Sequence, residues 1–543
     1  MGMAGRVGLG IAAFALTAVC APQAAQAAPG DLTFQSCIAN NGGNGCVDPP
    51  RDSLESANSV TVTPDGNDVY VTSGLSGNAI TWLPRAASGN LQFGDCIGDF
   101  GDTGCPASTT NSLRDANDVA VGPDSSSVYT TAGSDGAVSI FKRPANGNPA
   151  FLGCLGEPTG GGCTNPNIKP SLSGASGVAV SPDGESLYVA SRGSDSISHF
   201  VRNPGGDIIF VDCIANNGDG GCTAPPLSAM DGARDVAVSP DGKSVYVVSD
   251  NDNSISQFDA GANGALTFAG CIASAGASGC TDPPQDSLVR PVGVAVSPDG
   301  RSVYVASETG DSITTLNRAA DGGLTYVGCI ADAGVNGCVD PPNDSLDAAQ
   351  DVAVSPSGRS VYVASSASNS LSTFVRAADG GLTFAGCIAS VGNAGCVDPS
   401  LDALDGASGV AVSPDGRSVY LAAATARAVV AFSREADDIT PPGVTLKVKK
   451  PTAGRAIKAT VTCTEACSVT AGGSAKPKGG RKGKLKTAEA GLAAGQPTKV
   501  KLKVGGKLKR SLNRAGKGKA TITLTAADAF GNAVEATKKV KLK

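Results

Sequence analysis

One block of roughly 58 residues recurs through most of this 543-residue chain, and no other feature narrows its fold as far. Its plainest mark is a cysteine pair with eight residues between: Cys37/Cys46, Cys96/Cys105, Cys154/Cys163, Cys213/Cys222, Cys271/Cys280, Cys329/Cys338 and Cys387/Cys396. The first members stand 59, 58, 59, 58, 58 and 58 residues apart. A fixed period of that size defines a repeat architecture, in which each unit buries its apolar face on its neighbours. Within a unit the apolar residues alternate, as at Val352 and Val354 and again at Val361 and Val363. That is the period of a strand.

The punctuation is equally regular. Ser-Pro-Asp-Gly, as at Ser181–Gly184 and Ser239–Gly242, separates the first two strands of a unit. Proline sets φ at the second turn position, aspartate caps, and glycine takes the positive φ. These aspartates therefore read as turn residues, not catalysts. Ala-Ala-Asp-Gly-Gly at Ala319–Gly323 and Ala377–Gly381 joins the third strand to the fourth. Four short antiparallel strands per unit, seven times over, predict an all-β, seven-bladed β-propeller. The chain opens with a fourth strand, Leu32–Cys37, while the last unit lacks one after Phe432. Pairing Leu32–Cys37 with Ala428–Phe432 closes the ring and removes the exposed edges of an open array.

The units, GVAVSPDGRSVYVAS at Gly293–Ser307 being typical, resemble those of the YVTN-type propellers, which overlap with the seven-bladed lactonase-like superfamily. The resemblance covers about residues 31–432. It implies the propeller fold and a choice among sugar-lactone hydrolases, surface-layer proteins and binding modules. Fold alone does not choose between them. The His-containing turns that the resemblance leads one to expect ahead of the inner strands are missing. Ala175-Ser176, Ala233-Arg234 and Pro291-Val292 stand there instead.

Met1–Ala27 reads as a secretory signal, with Arg6, the apolar run Val7–Val19 and Ala25-Gln26-Ala27 as the cleavage site. The run is too short to cross a membrane as a stable helix, and no later stretch qualifies. Cys20 raises the alternative of a lipidated cysteine, although Thr17-Ala18-Val19 before it fits a lipoprotein signal poorly. Sixteen other cysteines, the seven pairs and Cys463/Cys467, read as eight disulfides of an exported protein. Each of the seven repeated pairs would close a small hairpin loop. Metal thiolate sites are the rival reading, but two cysteines per repeat without nearby histidine make a poor zinc set.

Catalytic constellations are thin. The single histidine, His199 in ISHFVR, excludes His-based triads and reads as a strand-surface residue. Asp118, Asp235 and Asp351 occupy equivalent places where alternate inner strands enter the channel, with Ser59, Gly177, Gly293 and Gly409 in the other blades. They are candidate metal ligands, with calcium the possible ion, or acceptors for backbone N–H groups. Further carboxylates lie in the inserts (Asp48/Asp52, Asp282/Asp286, Asp340/Asp344, Asp398/Asp402) and neighbouring loops (Asp195, Asp250, Asp252, Glu308, Asp311). Their spacing is looser than that of a dedicated calcium loop, and a solvated acidic face is the plainer reading. Arg192 and Arg234 are candidates to face a ligand. No catalytic residue and no cofactor is assigned, and the glycines belong to turns, not to phosphate loops.

After Asp437-Asp438 the composition changes. Thr440–Lys543 carries 24 Lys and Arg against 4 Asp and Glu, a net charge of +20, which leaves −26 for the rest of a chain of net charge −6. Alternation at Lys458–Cys463, Thr498–Val504 and Ala520–Ala526 predicts strands, Ala527–Gly531 a turn before a last strand, and Lys476–Lys486 a flexible basic loop. The stretch TLTAADAFGNAVEATKKVKL resembles the small Ig-like β-sandwich modules appended to bacterial exported proteins. The expected organisation is thus a signal peptide (1–27), the propeller (28–438) and a basic module (439–543). The expected role is an exported, monomeric binding or structural module. A glycan, peptide or protein would sit on its loop face, and an anionic envelope polymer, not nucleic acid, on its basic tail. A propeller-type lactone hydrolase is the alternative.

Overall fold

The structure is a computed structural model. It describes residues 30–435 and 442–543, apart from 100–102, 146, 158–161, 165–168, 400, 465–466 and 528–532. The expected signal peptide, Cys20 and the boundary at 438/439 lie outside the described residues. Seven four-stranded antiparallel sheets follow the repeats. A typical one runs Pro291–Val296, Ser302–Ser307, Ser312–Arg318, Leu324–Ala331, from the channel outwards. The last sheet takes its fourth strand from the start of the chain. Leu32–Ala39 pairs antiparallel with Ala428–Arg434, Leu32 opposite Arg434 and Ala39 opposite Ala428. The ring closes as the count of strands required.

The core lies between blades. One apolar cluster joins Tyr304, Ile313 and Ile330 of one blade to Val352, Val361 and Phe374 of the next. This is why the second strand is buried along its whole length (Ser302–Ser307): neighbours cover both of its faces. His199 follows from the same rule. It lies in Ser196–Arg202 and is 1% exposed, stacked on Tyr188 with ring centroids 5.2 Å apart. Ring nitrogens lie 3.3 Å from Asp212 and from Ser186. The surface position expected from its strand pattern is therefore corrected: a third strand is also covered on both faces.

At the tight-turn end the turn aspartates close their own turns, and all but Asp183 also hold the neighbouring blade. Asp241 accepts from Ser239 Oγ and the Lys243 N–H, closing its turn. Arg318 of the next blade reaches back to it. Its guanidinium donates to Asp241, to Tyr246 Oη at 2.9 Å and to the Gly300 carbonyl at 3.1 Å, and its side chain is only 5% exposed. Tyr246 in turn donates to the Gly322 carbonyl. Arg85, Arg202 and Arg376 repeat the arrangement at three other joints. Arg143 donates to Asp65, Asp68 and the Ser125 carbonyl, and Arg434 donates to Tyr362 Oη and the Gly416 carbonyl where the facing turn carries Ser357 in place of aspartate. The fourth blade has Ala260 in that place, so its joint with the third keeps only the bond from Tyr188 Oη to the Gly264 carbonyl.

The loop face carries the cysteine inserts. Seven disulfides pin them: Cys37–Cys46, Cys96–Cys105, Cys154–Cys163, Cys213–Cys222, Cys271–Cys280, Cys329–Cys338 and Cys387–Cys396. An eighth, Cys463–Cys467, lies in the C-terminal module. With every one of these sulfurs bonded to another, the rival reading of thiolate metal sites is set aside.

The hairpin expected at each repeated pair is corrected. A hairpin returns antiparallel to the strand it left. Here the residue one or two places beyond Cys46, Cys105, Cys163, Cys222, Cys280, Cys338 and Cys396 bridges back in parallel, as Val47 does to Ile38. Val47 donates to the Cys37 carbonyl and Ala39 to the Val47 carbonyl. The reason is a double reversal. Asn41 and Gly42, then Asn44 and Gly45, take positive φ and turn the chain twice, so it resumes its first direction.

Beyond Pro442 the chain builds its own core around Val461, Val469, Ile522 and Leu524. Val444–Val448, Ile457–Cys463 and Thr498–Leu502 form one sheet. Cys467–Pro477, Gly518–Ala527 and Ala533–Leu542 run side by side in the other. Two features depart from expectation. Lys476–Lys486 is not all loop, since Cys467–Pro477 extends into it and Gly483–Lys484 pairs back onto that strand. Gly506–Ala515 is an α-helix, where Leu508 and Leu512 at i, i+4 face the core and Gly516 ends it at φ 65°.

Candidate functional site at the channel mouth

Seven inner strands line the central channel, and each enters it through a β-bulge. In the fourth blade Ala233 pairs with Ser249 but Asp235 pairs with Val248, so Arg234 is the extra residue. A bulge re-aims side chains. Here it turns two successive residues of each blade towards the axis. All of them but Gly293 line a cavity of about 180 Å³.

The inner ring reads Ser59, Asp118, Gly177, Asp235, Gly293, Asp351, Gly409 in blade order. Each aspartate bridges two blades. Asp235 Oδ1 accepts from the Val236 N–H at 2.7 Å, and its Oδ2 accepts from the Val294 N–H of the next blade at 2.8 Å. Asp118 holds Val119 and Val178 in the same way, and Asp351 holds Val352 and Val410. The blade that receives such a bond has glycine at this place. A Cβ at Gly293 would come within 2.7 Å of the Gln350 carbonyl and 3.0 Å of Asp351 Cα. Carboxylate and glycine therefore alternate, and an odd number of blades breaks the alternation once. Ser59 fills the break, donating to Asp118 Oδ1 at 2.7 Å.

Electrostatics follow from that enclosure. Burial, opposed by the backbone N–H donors, raises the Asp351 carboxyl to about 7. Burial, and then the charges of Asp118 and Asp351, pushes Asp235 well above the ordinary carboxylate range. Asp118 is raised by burial too. The structure thus brings the three candidate aspartates to one channel. Among the described residues, no group of three or more His, Cys, Asp or Glu side chains is arranged to hold a metal ion.

The outer ring, one residue upstream, is Asn58, Asn117, Ser176, Arg234, Val292, Gln350 and Ser408. Asn58 and Asn117 donate to the Ala116 and Ala175 carbonyls of the following blades. Arg234 makes no hydrogen bond or ion pair among the described residues, and burial lowers its pKa, with Asp250 opposing and Arg192 reinforcing. Arg192 and Arg234 meet in a second hollow of about 360 Å³ with Asn117, Ser176 and Asn251. Arg192 Nε donates to Asp250 Oδ2 at 2.8 Å. The Asp250 side chain is fully buried, and its Oδ1 has no partner among the described residues.

Sequence reasoning found Arg192, Arg234 and the aspartates but missed the rest of the outer ring. The signal was present. That position varies from repeat to repeat while its neighbours recur, as expected of a place free of the fold's demands. The disulfide cysteines line neither hollow. The acidic residues of the inserts and loops do not gather into one site. Asp195 accepts from the Gly232 N–H, Asp311 from Ala348 and Asp286 from Ala275.

The fold and channel define a seven-bladed β-propeller. Residues 221–399 match the family described as lactonase, 7-bladed beta-propeller. That stretch spans the fourth, fifth and sixth blades and agrees with the propeller fold. Among solved structures the chain is similar to a protein of Bacteroides uniformis named as a 6-phosphogluconolactonase. Identity is 19%, covering 60% of this chain and 83% of that one, with a TM-score of 0.45. It is similar to the periplasmic gluconolactonase of Pseudomonas aeruginosa at 19% identity, covering 61% and 85%, with a TM-score of 0.44. No curated protein matches the chain.

Proposed function

We propose that the propeller binds and hydrolyses a lactone at the channel mouth, and that the basic C-terminal module retains the exported chain at the cell envelope. Arg234 carries the first part of this reading. An arginine turned into a polar cavity by a bulge, without a direct ion pair or hydrogen bond among the described residues and partly desolvated, is poised for a carbonyl oxygen that becomes an oxyanion. In the same cavity the Asp351 carboxyl titrates near 7, which suits proton exchange at neutral pH. Each of its oxygens accepts one backbone N–H and keeps a further lone pair. Water adds to the lactone carbonyl and gives its proton to the carboxylate. The ring C–O bond then breaks, and that proton passes to the ring oxygen, leaving a hydroxy acid. The lactonase family match supports the reaction class. Eight disulfides support an oxidising compartment, and no helix among the described residues is long and apolar enough to cross a membrane.

A binding or structural module is the second reading. It is favoured by the inter-blade hydrogen bonds from Val178, Val294 and Val410 that already occupy all three aspartates. Turnover of gluconolactone in a pH-stat separates the two. We expect hydrolysis above the buffer rate, with Arg234→Ala lowering kcat/KM by about 100-fold. Hydrolysis at the buffer rate alone, with ligand binding to the loop face intact, would leave the binding module.

A further inference from the structure

The sheets of the C-terminal module place lysines directly opposite one another. Lys476 pairs with Lys519, and Lys519 with Lys541, across three neighbouring strands. On the other sheet Lys458 stands opposite Lys501. All five are exposed. Paired strands lie about 4.8 Å apart, and like charges directly opposite destabilise a sheet. Nothing acidic relieves them, for among the described residues no salt bridge involves a residue beyond Arg427. The first ladder lines a hollow of about 530 Å³, and the second one of about 690 Å³. No acidic or aromatic side chain lines either. A backbone bond from the Lys543 N–H to the Pro451 carbonyl links a residue lining the first hollow to one lining the second.

Resting on the envelope-attachment reading, we propose that the two lysine ladders form one binding groove for a linear phosphodiester-linked polyol polymer. Of the module's 24 cations, twenty are lysines. Lysine is a compact point charge that suits successive tetrahedral phosphates, whereas planar bidentate recognition calls for arginine. Single-stranded nucleic acid is read largely by stacking on aromatic rings, and this groove has none. The cross-strand repulsion is relieved when the polymer is bound.

The test uses the full chain and a poly(glycerol phosphate) probe at low and high salt. A ladder variant (Lys476→Ser, Lys519→Ser, Lys541→Ser) is compared with a control that loses the same charge elsewhere (Lys484→Ser, Lys499→Ser, Lys507→Ser). The ladder variant should bind at least about tenfold more weakly than the control, and it should melt at a higher temperature without polymer. Equal losses in the two variants would overturn the groove. Tighter binding of single-stranded DNA of matched charge would overturn the ligand class. Binding of the wild type to isolated envelopes but not to the probe would remove this proposal and leave attachment standing. Binding to neither would remove both.

Discussion

The propeller and the C-terminal module treat charge in opposite ways. In the propeller, arginines are drawn inside and answered. Arg318 is 5% exposed with four acceptors from two blades, and the ring carboxylates each hold two backbone N–H groups. In the module, lysines project from the sheets and are stacked against each other without acids. Charge that is satisfied within the fold stabilises blade joints and is unavailable to a partner. Charge left unsatisfied works slightly against stability and is free for one. By that criterion Arg234 belongs with the lysines of the module, although it sits in the propeller.

The largest expected effect tests the first half of this contrast. Arg318→Ala should cost about 2–3 kcal/mol in urea unfolding, because it leaves Tyr246, Asp241 and the Gly300 carbonyl without their donor. Lys519→Ser in the module should stay within about 0.5 kcal/mol. Equal effects would break the comparison. Gly293→Ala should cost about 1–3 kcal/mol by forcing the Gln350 carbonyl and Asp351 backbone away, and a neutral result would mean the ring has room to spare. The third prediction concerns pH. Asp351 is raised in the folded protein from the usual carboxylate value to about 7. The folded state therefore holds a proton that the unfolded chain has lost, and stability falls as pH rises from about 4 to 7. Thermal midpoints across that range should show the fall, and Asp351→Ser, which copies Ser59, should make it shallower, leaving the part that the raised carboxyls of Asp118, Asp235 and Asp332 contribute. The smallest effect sharpens the picture of the joints. Ala260→Arg should supply the missing contact to Asp183 and Tyr188 and raise stability by up to about 1 kcal/mol.

Much of the propeller was legible beforehand because its determinants are local and repeated. Alternation at Val361 and Val363, the Ser-Pro-Asp-Gly turn and the cysteine spacing each act within a few residues, and seven copies remove ambiguity. Ring closure needed only a count of strands. The path of the inserts was less legible. Spacing pairs Cys37 with Cys46, but the parallel return of Val47 depends on successive positive-φ residues between them. The basic module was harder still. The helix at Gly506–Ala515 arises from two leucines in a lysine-rich stretch, and its charge density hid a weak apolar face. Of the candidate site, Arg192, Arg234 and the three aspartates were visible as departures from the repeat. What surrounds them was not.

The sequence alone determined a closed seven-bladed propeller with disulfide-pinned loops and a basic β-module, because period, turn chemistry and pairing of strands are short-range or countable. Only the tertiary structure decided which charges are answered. Asp235 meets Val294 and Arg318 meets Tyr246 across blade joints, 59 and 72 residues apart in the chain. A strand pattern says which face a side chain takes. What waits on that face is decided by the neighbouring blade.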